Sequence, residues 1–481
     1  MLEAPAPVIA PTRAVKDRRW LGLFAVLAAM IMNLLDATVV NVAAPAIRAE
    51  LGGSYATLQW IAAGYTLALA VGLLTGGRLG DMYGRKRMMI AGVVGFLATS
   101  VACAVAWSPA SLVGARVLQG LCAAVMIPQA FGLVRDLFPP REIGKAFAAF
   151  GPVIGGSTIL GPVVAGLLVD ADLFGSGWRM IFLINVPLGL FALLAGVRAL
   201  PAVAPAARDT RLDLTGAVLA GVGMFLLVYP LVQGREQGWP AWTLAMLAGS
   251  AVVLAGFAVH QLRRRRAGLV PLVELSVFAR RSYTSGVLFV VVFFGAVVGF
   301  SLAVGLFLQL GLGYSPMRAS LTMAAWAVGA FLGSGFAVAM MAKLGRTILH
   351  LGLALMGAGI LGVYLVFQAT GTEIGTWHLV TPLVIFGFGM GMIFVPLFDI
   401  IMGEVEDHEV GSAAGALESI QQLGASLGVA VLGTVFFGVV GQQLELSVWV
   451  DAAKWTALLT FALVGLAFAL GFLLPRKARA H

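Results

Sequence analysis

Long apolar runs alternate with short polar segments along almost the whole chain. Each run has about twenty or more residues, enough for a helix to cross a bilayer, and lacks the period-2 alternation of a transmembrane β-strand. Because backbone groups inside lipid must satisfy their own hydrogen bonds, these runs predict helices. We predict fourteen, at residues 20–45, 57–77, 88–107, 111–134, 143–168, 180–199, 213–233, 242–261, 283–310, 318–342, 347–368, 378–402, 412–440 and 453–474.

The composition agrees with this pattern. Of 481 residues, 60% are hydrophobic and 11% are charged, whereas soluble domains have about 25% charged residues. The sequence therefore predicts an all-α membrane protein built as one polytopic domain. Cys103 and Cys122 both lie in apolar runs, and without a Cys/His cluster a metal centre has no support.

Basic residues are concentrated on one side of the predicted spans. That side carries 25 of the 31 Lys and Arg residues, and the positive-inside rule assigns it to the cytoplasm. We therefore expect a multi-pass protein of the cytoplasmic (inner) membrane with both termini in the cytoplasm. The net charge of +9 lies mainly in short loops such as Arg263–Arg266, which favours contact with anionic lipid over nucleic acid.

Two charged residues fall inside apolar runs at similar predicted depths. Asp36 lies in the first span and Arg116 in the fourth. A charge at membrane depth is costly, so it indicates a function unless it is neutralised by a partner. A nearby Arg lowers the pKa of an Asp and burial raises it, so such a pair is suited to gaining and losing a proton. The alternative is a static ion pair that joins the two helices.

Further polar residues in the spans are candidates for contact with a substrate. Glu418 lies two turns into the thirteenth span and is a candidate for cation binding or proton coupling. Asp399 lies near the cytoplasmic end of the twelfth span, where an interfacial role is the alternative. Amide side chains also hydrogen-bond between helices, so each of them has a structural alternative. The complete set of candidates is Asn33, Asn41, Gln119, Gln129, Asp399 and Glu418.

Glycine and proline cluster in the fifth span, where Gly161, Pro162 and Gly166 follow earlier Gly-Pro and Gly-Gly pairs. Small residues four or five apart allow close helix packing, and proline kinks a helix. We expect a bent, tightly packed helix that seals one side of a cavity.

Several motifs together resemble the major facilitator superfamily, specifically its fourteen-span drug:proton antiporters. The resemblance covers nearly the whole chain. The motifs are Leu35–Pro45 (LDATVVNVAAP), Gly77–Lys86 (GRLGDMYGRK), Arg116–Gly120 (RVLQG), Gly161–Gly166 (GPVVAG), Asp213–Leu219 (DLTGAVL) and Leu423–Gly433 (LGASLGVAVLG).

The resemblance implies a major facilitator fold with two six-helix bundles, residues 20–200 and 283–474, around a central cavity. The linker, residues 201–282, would contribute two inserted helices at about 213–233 and 242–261, and residues 1–19 and 475–481 would be cytoplasmic tails. It also implies alternating access by rocking of the bundles. Gly77, Asp81, Gly84 and Arg85 would be conformational residues, and Asp81 and Arg85 would lock the outward-facing state through charge and helix-dipole contacts with the other bundle.

The resulting hypothesis is proton-coupled efflux of drugs or other small molecules, with Asp36 as the proton-coupling carboxylate tuned by Arg116. The proton gradient would be the energy source and no cofactor is expected. Glu418 stands where the family has Asn, which points to a cationic or distinct substrate, so we expect an amphipathic or cationic one. The alternatives are a dedicated exporter of an endogenous metabolite, lipid or amino acid, and a non-transporting membrane sensor. An enzyme is disfavoured because no nucleophile–base pair or phosphate loop is found.

Overall fold

The computed structural model describes residues 13–139, 149–202, 212–273, 275–402, 410–441 and 445–475, together with residues 142, 146 and 405. Within these residues the regular structure is helical. The fourteen main helices are α1 (Arg13–Leu51), α2 (Tyr55–Tyr83), α3 (Arg85–Ala104), α4 (Pro109–Leu137), α5 (Phe150–Ala171), α6 (Asn185–Ala199), α7 (Leu214–Gln233), α8 (Ala241–Arg266), α9 (Arg281–Leu306), α10 (Pro316–Leu344), α11 (Thr347–Thr370), α12 (Thr376–Met402), α13 (Val410–Val440) and α14 (Leu446–Gly471).

Most helix ends lie within about five residues of the predicted ones, with larger differences in α1, α2, α5 and α14. Helix α2 ends at Tyr83, six residues later than predicted, and α5 begins at Phe150, seven residues later. Helix α1 is 39 residues long and extends beyond both predicted ends. The sixth predicted span lies within the apolar helical segment Gly177–Ala199, in which the turn at Met180–Leu183 leads into α6. Helix α14 begins at Leu446, seven residues earlier than predicted, because Trp449 and Val450 pack into the core.

Thirteen of the apolar segments in the described part of the chain are long enough to cross a membrane. Helix α5 has 22 residues, but its apolar part is the shorter segment Gly161–Ala171. The all-α membrane fold predicted from the sequence is therefore confirmed, with the count of fourteen spans approximate.

The helices pack as two similar bundles. Within α1–α6, helix α2 packs on α4, α3 on α4 and α6, and α1 on α5 and α6. The corresponding pairs recur among the last six helices, where α10 packs on α12, α11 on α12 and α14, and α9 on α13 and α14. We call α1–α6 the N bundle and α9–α14 the C bundle. The residue boundaries predicted for the two bundles stay predictions.

Two helix pairs make the largest contacts between the bundles, α2 with α13 and α5 with α10, and α1 makes smaller contacts with α9 and α10. The inserted helices α7 and α8 pack on each other, and α7 also contacts both α2 and α13. Small residues permit the closest approaches. A Cβ atom on Gly166 of α5 would lie only 2.7 Å from the Cα of Met317 in α10, so α5 and α10 touch backbone to backbone there.

The described hydrogen bonds between the bundles lie at mid-depth or toward one face of the molecule. We call the face that holds the start of α1 the terminal face and the other the opposite face. On or toward the opposite face, Ser426 Oγ donates to Ala63 O at 3.3 Å and Met317 N donates to Asp170 Oδ2 at 3.1 Å. At mid-depth, Ser419 Oγ donates to Ala70 O. These contacts hold the bundles together at the opposite face.

The DLTGAVL motif has a local structural explanation. Asp213 precedes α7 and accepts the backbone N–H of Gly216 at 2.9 Å, an N-cap that satisfies a free donor of the first turn. The same carboxylate contacts His260 and Gln261 of α8, each at 2.8 Å. Burial raises the pKa of Asp213, but these hydrogen bonds and the charge of Arg264 outweigh burial and lower it. Asp213 therefore ties the two inserted helices together.

Candidate functional site

A buried ion pair joins α1 to α4. Asp36 and Arg116 are 0% and 1% exposed, and Arg116 Nη1 contacts Asp36 Oδ2 directly. Asp36 is carried on the long, mostly apolar helix α1, and Arg116 lies two turns after the start of α4. The structure therefore brings together the two charges that the sequence placed at similar depth.

Arg116 has further partners on neighbouring helices. Its Nε donates to the backbone oxygen of Ile61 in α2 at 3.1 Å, and Nη1 also donates to Gln119 Oε1 at 2.8 Å. The guanidinium carbon lies 4.2 Å from the ring centroid of Tyr65, a cation–π distance. The positive charge is thus held by an acid, two oxygen acceptors and an aromatic face.

The second oxygen of Asp36 is bound by two amides. Gln119 Nε2 and Asn185 Nδ2 both donate to Asp36 Oδ1, each at 3.0 Å. Both amides also donate to Ser100 Oγ of α3, at 2.9 and 3.2 Å. Residues from α1, α2, α3, α4 and α6 therefore form one polar network, which we call the Asp36 network.

The Asp36 network lies wholly within the N bundle. Desolvation of two charges is expensive, and it is tolerated only where geometry and hydrogen bonds satisfy both groups. Asp36 meets that condition because both of its oxygens have partners. The same arrangement means that a change in its charge disturbs four other helices at once.

Sequence reasoning missed three members of this network, Ser100, Tyr65 and Asn185. Ser and Tyr are common in helices of membrane proteins and carry no charge, so the positions of Ser100 and Tyr65 in the sequence did not indicate a functional site. Asn185 is the first residue of α6 and follows the helical turn at Met180–Leu183. An amide inside a predicted span was the one available signal.

Other predicted polar residues lie elsewhere in the N bundle. Asn33 accepts a hydrogen bond from Tyr65 OH, so Tyr65 connects it to the Asp36 network. Gln129 is buried and donates to Gly76 O at 2.8 Å, so it fastens α4 to α2. Asn41 is partly exposed, and its Oδ1 is buried with no hydrogen-bond partner among the described residues. Contact of these three residues with a substrate stays a prediction.

Glu418 differs from Asp36 in its surroundings. It is partly exposed, and Gln422 Nε2 donates to its Oε1 at 3.1 Å. Among the described residues no Lys, Arg or His forms an ion pair with it. The structure does not join it to the Asp36 network by any described hydrogen bond. Asp399 lies on α12, and its side chain is outside the described part of the chain.

The direction of Glu418 follows from the neighbours of α13. Ser419 and Ser426 mark the side that meets α2, and Gly428 marks the side that meets α9 at Gly295. At about 100° per residue, Glu418 falls between these two sides. Glu418 therefore lies on the flank of α13 between its contacts with α2 of the N bundle and α9 of the C bundle, away from the flank where Thr434 donates to Leu231 O of α7.

The motif between α2 and α3 is engaged within the N bundle. Gly84 links the two helices at φ 93°, a value that favours glycine. Arg85 Nη1 binds Asp136 of α4 at 3.1 Å, and Asp81 lies 4.0 Å from Arg85 Nη2. Gly77 packs near Pro128 of α4. The lock against the other bundle predicted for this motif is not formed by these described contacts, and it stays a prediction for another conformation.

The fifth helix touches both the site and the other bundle. A Cβ atom on Gly161 would lie 2.4 Å from Thr38 Oγ1, two residues after Asp36 on α1. Pro162 lies inside α5, and Gly166 one turn later meets α10 in the C bundle. Helix α5 therefore connects the segment that carries Asp36 to the C bundle.

Comparison with known proteins identifies the family. A model of the Major Facilitator Superfamily matches residues 26–429. The chain is 50% identical over 432 residues to the probable actinorhodin transporter of Streptomyces coelicolor, covering 90% of this chain and 75% of that protein. It is 34% identical over 434 residues to the tetracenomycin C resistance and export protein of Streptomyces glaucescens, covering 90% and 78%.

Another relative and one solved structure give the same result. The puromycin resistance protein of Streptomyces alboniger is 34% identical over 460 residues, covering 95% of this chain and 90% of that protein. A crystal structure of a peptide transporter of the POT family superposes with a TM-score of 0.64 at 16% identity, covering 94% and 95%. That likeness concerns the fold alone.

These matches confirm the resemblance that the motifs indicated and the expectation that the chain is not an enzyme. With a family match over most of its length and relatives above 30% identity, the chain belongs to the Major Facilitator Superfamily.

Proposed function

We propose that this protein exports a small molecule across the cytoplasmic membrane by proton-coupled alternating access. The matched relatives named above are antibiotic transport, export and resistance proteins, which supports export of a small molecule. The single observation that carries the coupling is the Asp36–Arg116 pair, a titratable carboxylate buried among transmembrane helices. The proton gradient supplies the energy, and no cofactor takes part.

The proton acts through the charge of Asp36. When Asp36 is ionised, Arg116, Gln119 and Asn185 all bind it. Protonation removes the attraction to Arg116 and leaves a buried guanidinium with only neutral acceptors, Ile61 O and Gln119 Oε1. Since an uncompensated buried charge is costly, protonation favours a rearrangement of α1 against α4.

Helix α5 provides the route from this change to the bundle interface. It packs on α1 beside Thr38 through Gly161 and on α10 through Gly166. A shift of α1 at Asp36 therefore changes the packing of a helix that the C bundle also contacts. In this conformation the opposite face is closed, so protonation from that side has to accompany its opening.

Substrate binding is proposed for the space between the bundles. Glu418 lies between the contacts of α13 with α2 and α9 and has no basic partner among the described residues, so an ammonium or other cationic group can pair with it without displacing an arginine. This supports an amphipathic or cationic substrate. Asn41, with an unpartnered Oδ1, is a second candidate contact.

The orientation completes the proposal. The basic residues favour cytoplasmic termini, so the terminal face is cytoplasmic and the opposite face is outside. The conformation described, with the bundles joined toward the opposite face, is then the one that admits substrate from the cytoplasm.

Transport into inverted vesicles with an imposed pH gradient tests the coupling. Asp36→Asn keeps the shape and removes the titratable group, so we expect uphill transport to be lost. The matched control is Glu50→Gln on the same helix, whose carboxylate binds Trp178 Nε1 at 2.7 Å near the opposite face. If Asp36→Asn transports uphill as well as the Glu50→Gln control, Asp36 does not couple the proton.

A second candidate function is dedicated export of one endogenous metabolite. The observation that favours it is the 50% identity to a transporter named for a single compound, actinorhodin. A panel of chemically unrelated drugs distinguishes the two functions. Transport of several unrelated compounds indicates a multidrug exporter, whereas transport of one compound class indicates a dedicated one.

A further inference from the structure

The loop between the inserted helices α7 and α8 binds both bundles at the opposite face. Glu236 Oε1 accepts the backbone N–H of Ala56, at the start of α2 in the N bundle, at 3.0 Å. Its neighbour Arg235 donates from Nη1 to the backbone oxygen of Phe437, near the end of α13 in the C bundle, at 3.1 Å. Arg235 and Glu236 also form an ion pair at 3.7 Å.

Each charge matches the helix end that it meets. The first N–H groups of a helix carry partial positive charge and the last carbonyls partial negative charge. Glu236 therefore caps the positive end of α2, whose own N-cap residue Ser54 makes no side-chain cap hydrogen bond. Arg235 meets the negative end of α13. Both side chains are partly buried, 18% exposed for Arg235 and 25% for Glu236, which limits screening by water.

Apolar and aromatic contacts extend this junction. Tyr55 of α2 stacks on Phe437 of α13 with ring centroids 4.2 Å apart. Trp60 of α2 lies 5.8 Å from the Tyr229 ring of α7. On the other side, Thr434 Oγ1 of α13 donates to Leu231 O of α7 at 2.7 Å. The inserted pair thus covers the seam between α2 and α13.

The geometry points to a function for the inserted pair: we infer that Arg235 and Glu236 form a latch that holds the opposite face closed. This rests on the proposed alternating access, in which the start of α2 and the end of α13 have to separate. The two residues are consecutive, with Cα atoms about 3.8 Å apart, so they cannot follow two helices that move apart. At least one of the two helix-end bonds breaks whenever this face opens.

The latch makes the ratio of open to closed states depend on the sign of each charge. Glu236→Gln weakens the cap on α2 and raises the fraction of molecules that are open at the opposite face. Exchange of the two residues, Arg235→Glu with Glu236→Arg, keeps an ion pair in the loop. It sets a cation at the positive end of α2 and an anion at the negative end of α13, so it opens the face further.

Distances between two spin labels measure this directly. Ser54→Cys, before α2, and Glu445→Cys, before α14, are both exposed on the opposite face and belong to different bundles. All variants carry Cys103→Ser and Cys122→Ser. The control is Asp451→Asn, an acid on the same face that pairs with Lys454 within α14 at 3.3 Å and bridges no bundles.

We expect the parent and the Asp451→Asn control to show mainly the short distance. Glu236→Gln increases the ratio of long to short distances by about three- to tenfold, the size of a helix-end charge interaction, and the exchanged pair increases it more. A distance distribution for the exchanged pair equal to that of the parent overturns the latch. If the exchanged pair does not fold, an unchanged distribution in Glu236→Gln overturns it as well. Neither result depends on Asp36, so the latch and the proton coupling fail or succeed separately.

Discussion

The N and C bundles share one pattern of helix packing and differ in what fills their centres. In the N bundle, Gln119 lies ten residues after the first residue of α4 and belongs to the Asp36 network. In the C bundle, Phe386 lies ten residues after the first residue of α12. It packs perpendicular to Trp326 at 4.6 Å and near Phe300 at 5.3 Å. One bundle is centred on charge and the other on aromatic rings.

The difference separates two tasks that one fold can perform. Aromatic packing is tolerant of pH and has no charge to change, so it suits a scaffold. A buried ion pair responds to a single proton, so it suits a switch. We therefore expect mutations in the N-bundle centre to affect stability and coupling together, and mutations in the C-bundle centre to affect stability alone.

The largest effect is expected for Arg116→Leu. It leaves Asp36 buried without its cationic partner, and removal of one member of a buried pair costs about 3–5 kcal/mol. Thermal unfolding in detergent measures the loss. As a control, Asp36→Leu combined with Arg116→Leu removes both charges, and we expect most of the stability to return while proton-driven export stays absent. Export by this double variant at the parent's rate would show that the pair is only structural.

A loss of similar or slightly smaller size is expected for Phe386→Ala. Truncation of a buried Phe leaves a cavity and costs about 3 kcal/mol, but no titratable group changes. We expect the same dependence of export on the pH gradient as in the parent, measured at a temperature where the variant is folded. A changed dependence would mean that the C-bundle centre takes part in coupling.

A smaller effect is expected for Asn185→Ala. This change removes one hydrogen bond to Asp36 and leaves the ion pair with Arg116, so we expect a loss of about 1–2 kcal/mol. The dependence of export on pH should shift, because the ionised carboxylate loses one of its hydrogen-bond donors. Export assays over a pH series measure the shift, and an unchanged midpoint would place Asn185 outside the coupling site.

The smallest effect on stability is expected for Glu418→Gln. Glu418 is partly exposed and has one hydrogen bond, so its removal should change the stability by less than about 0.5 kcal/mol. Export of a cationic substrate should fall by about tenfold while export of a neutral one is retained, since one charge interaction is lost. Equal loss for both substrates would assign Glu418 a general role instead of substrate selection.

The sequence was a good guide to the helices and to one half of the site. Apolar runs predicted the helices because lipid enforces internal hydrogen bonds, and Asp36 and Arg116 were found because charge is rare at that depth. Asn185 and Ser100 were missed because a neutral polar residue in a helix gives a weaker signal than a charge. Their positions depend on how α3 and α6 pack, which hydrophobic pattern does not encode.

The loop of the inserted pair shows a second limit. Arg235 and Glu236 lie between two apolar runs and look like ordinary polar loop residues in the sequence. Their significance comes from helix ends some 180 and 200 residues away.

The central claim is that Asp36 changes its protonation during transport. Proton release by the purified protein on addition of a transported substrate, followed with a pH indicator in weak buffer, tests this most directly. We predict release by the parent and by Glu50→Gln, and none by Asp36→Asn. Equal release by Asp36→Asn and the parent would contradict the account, because the exchanged proton would then come from another group.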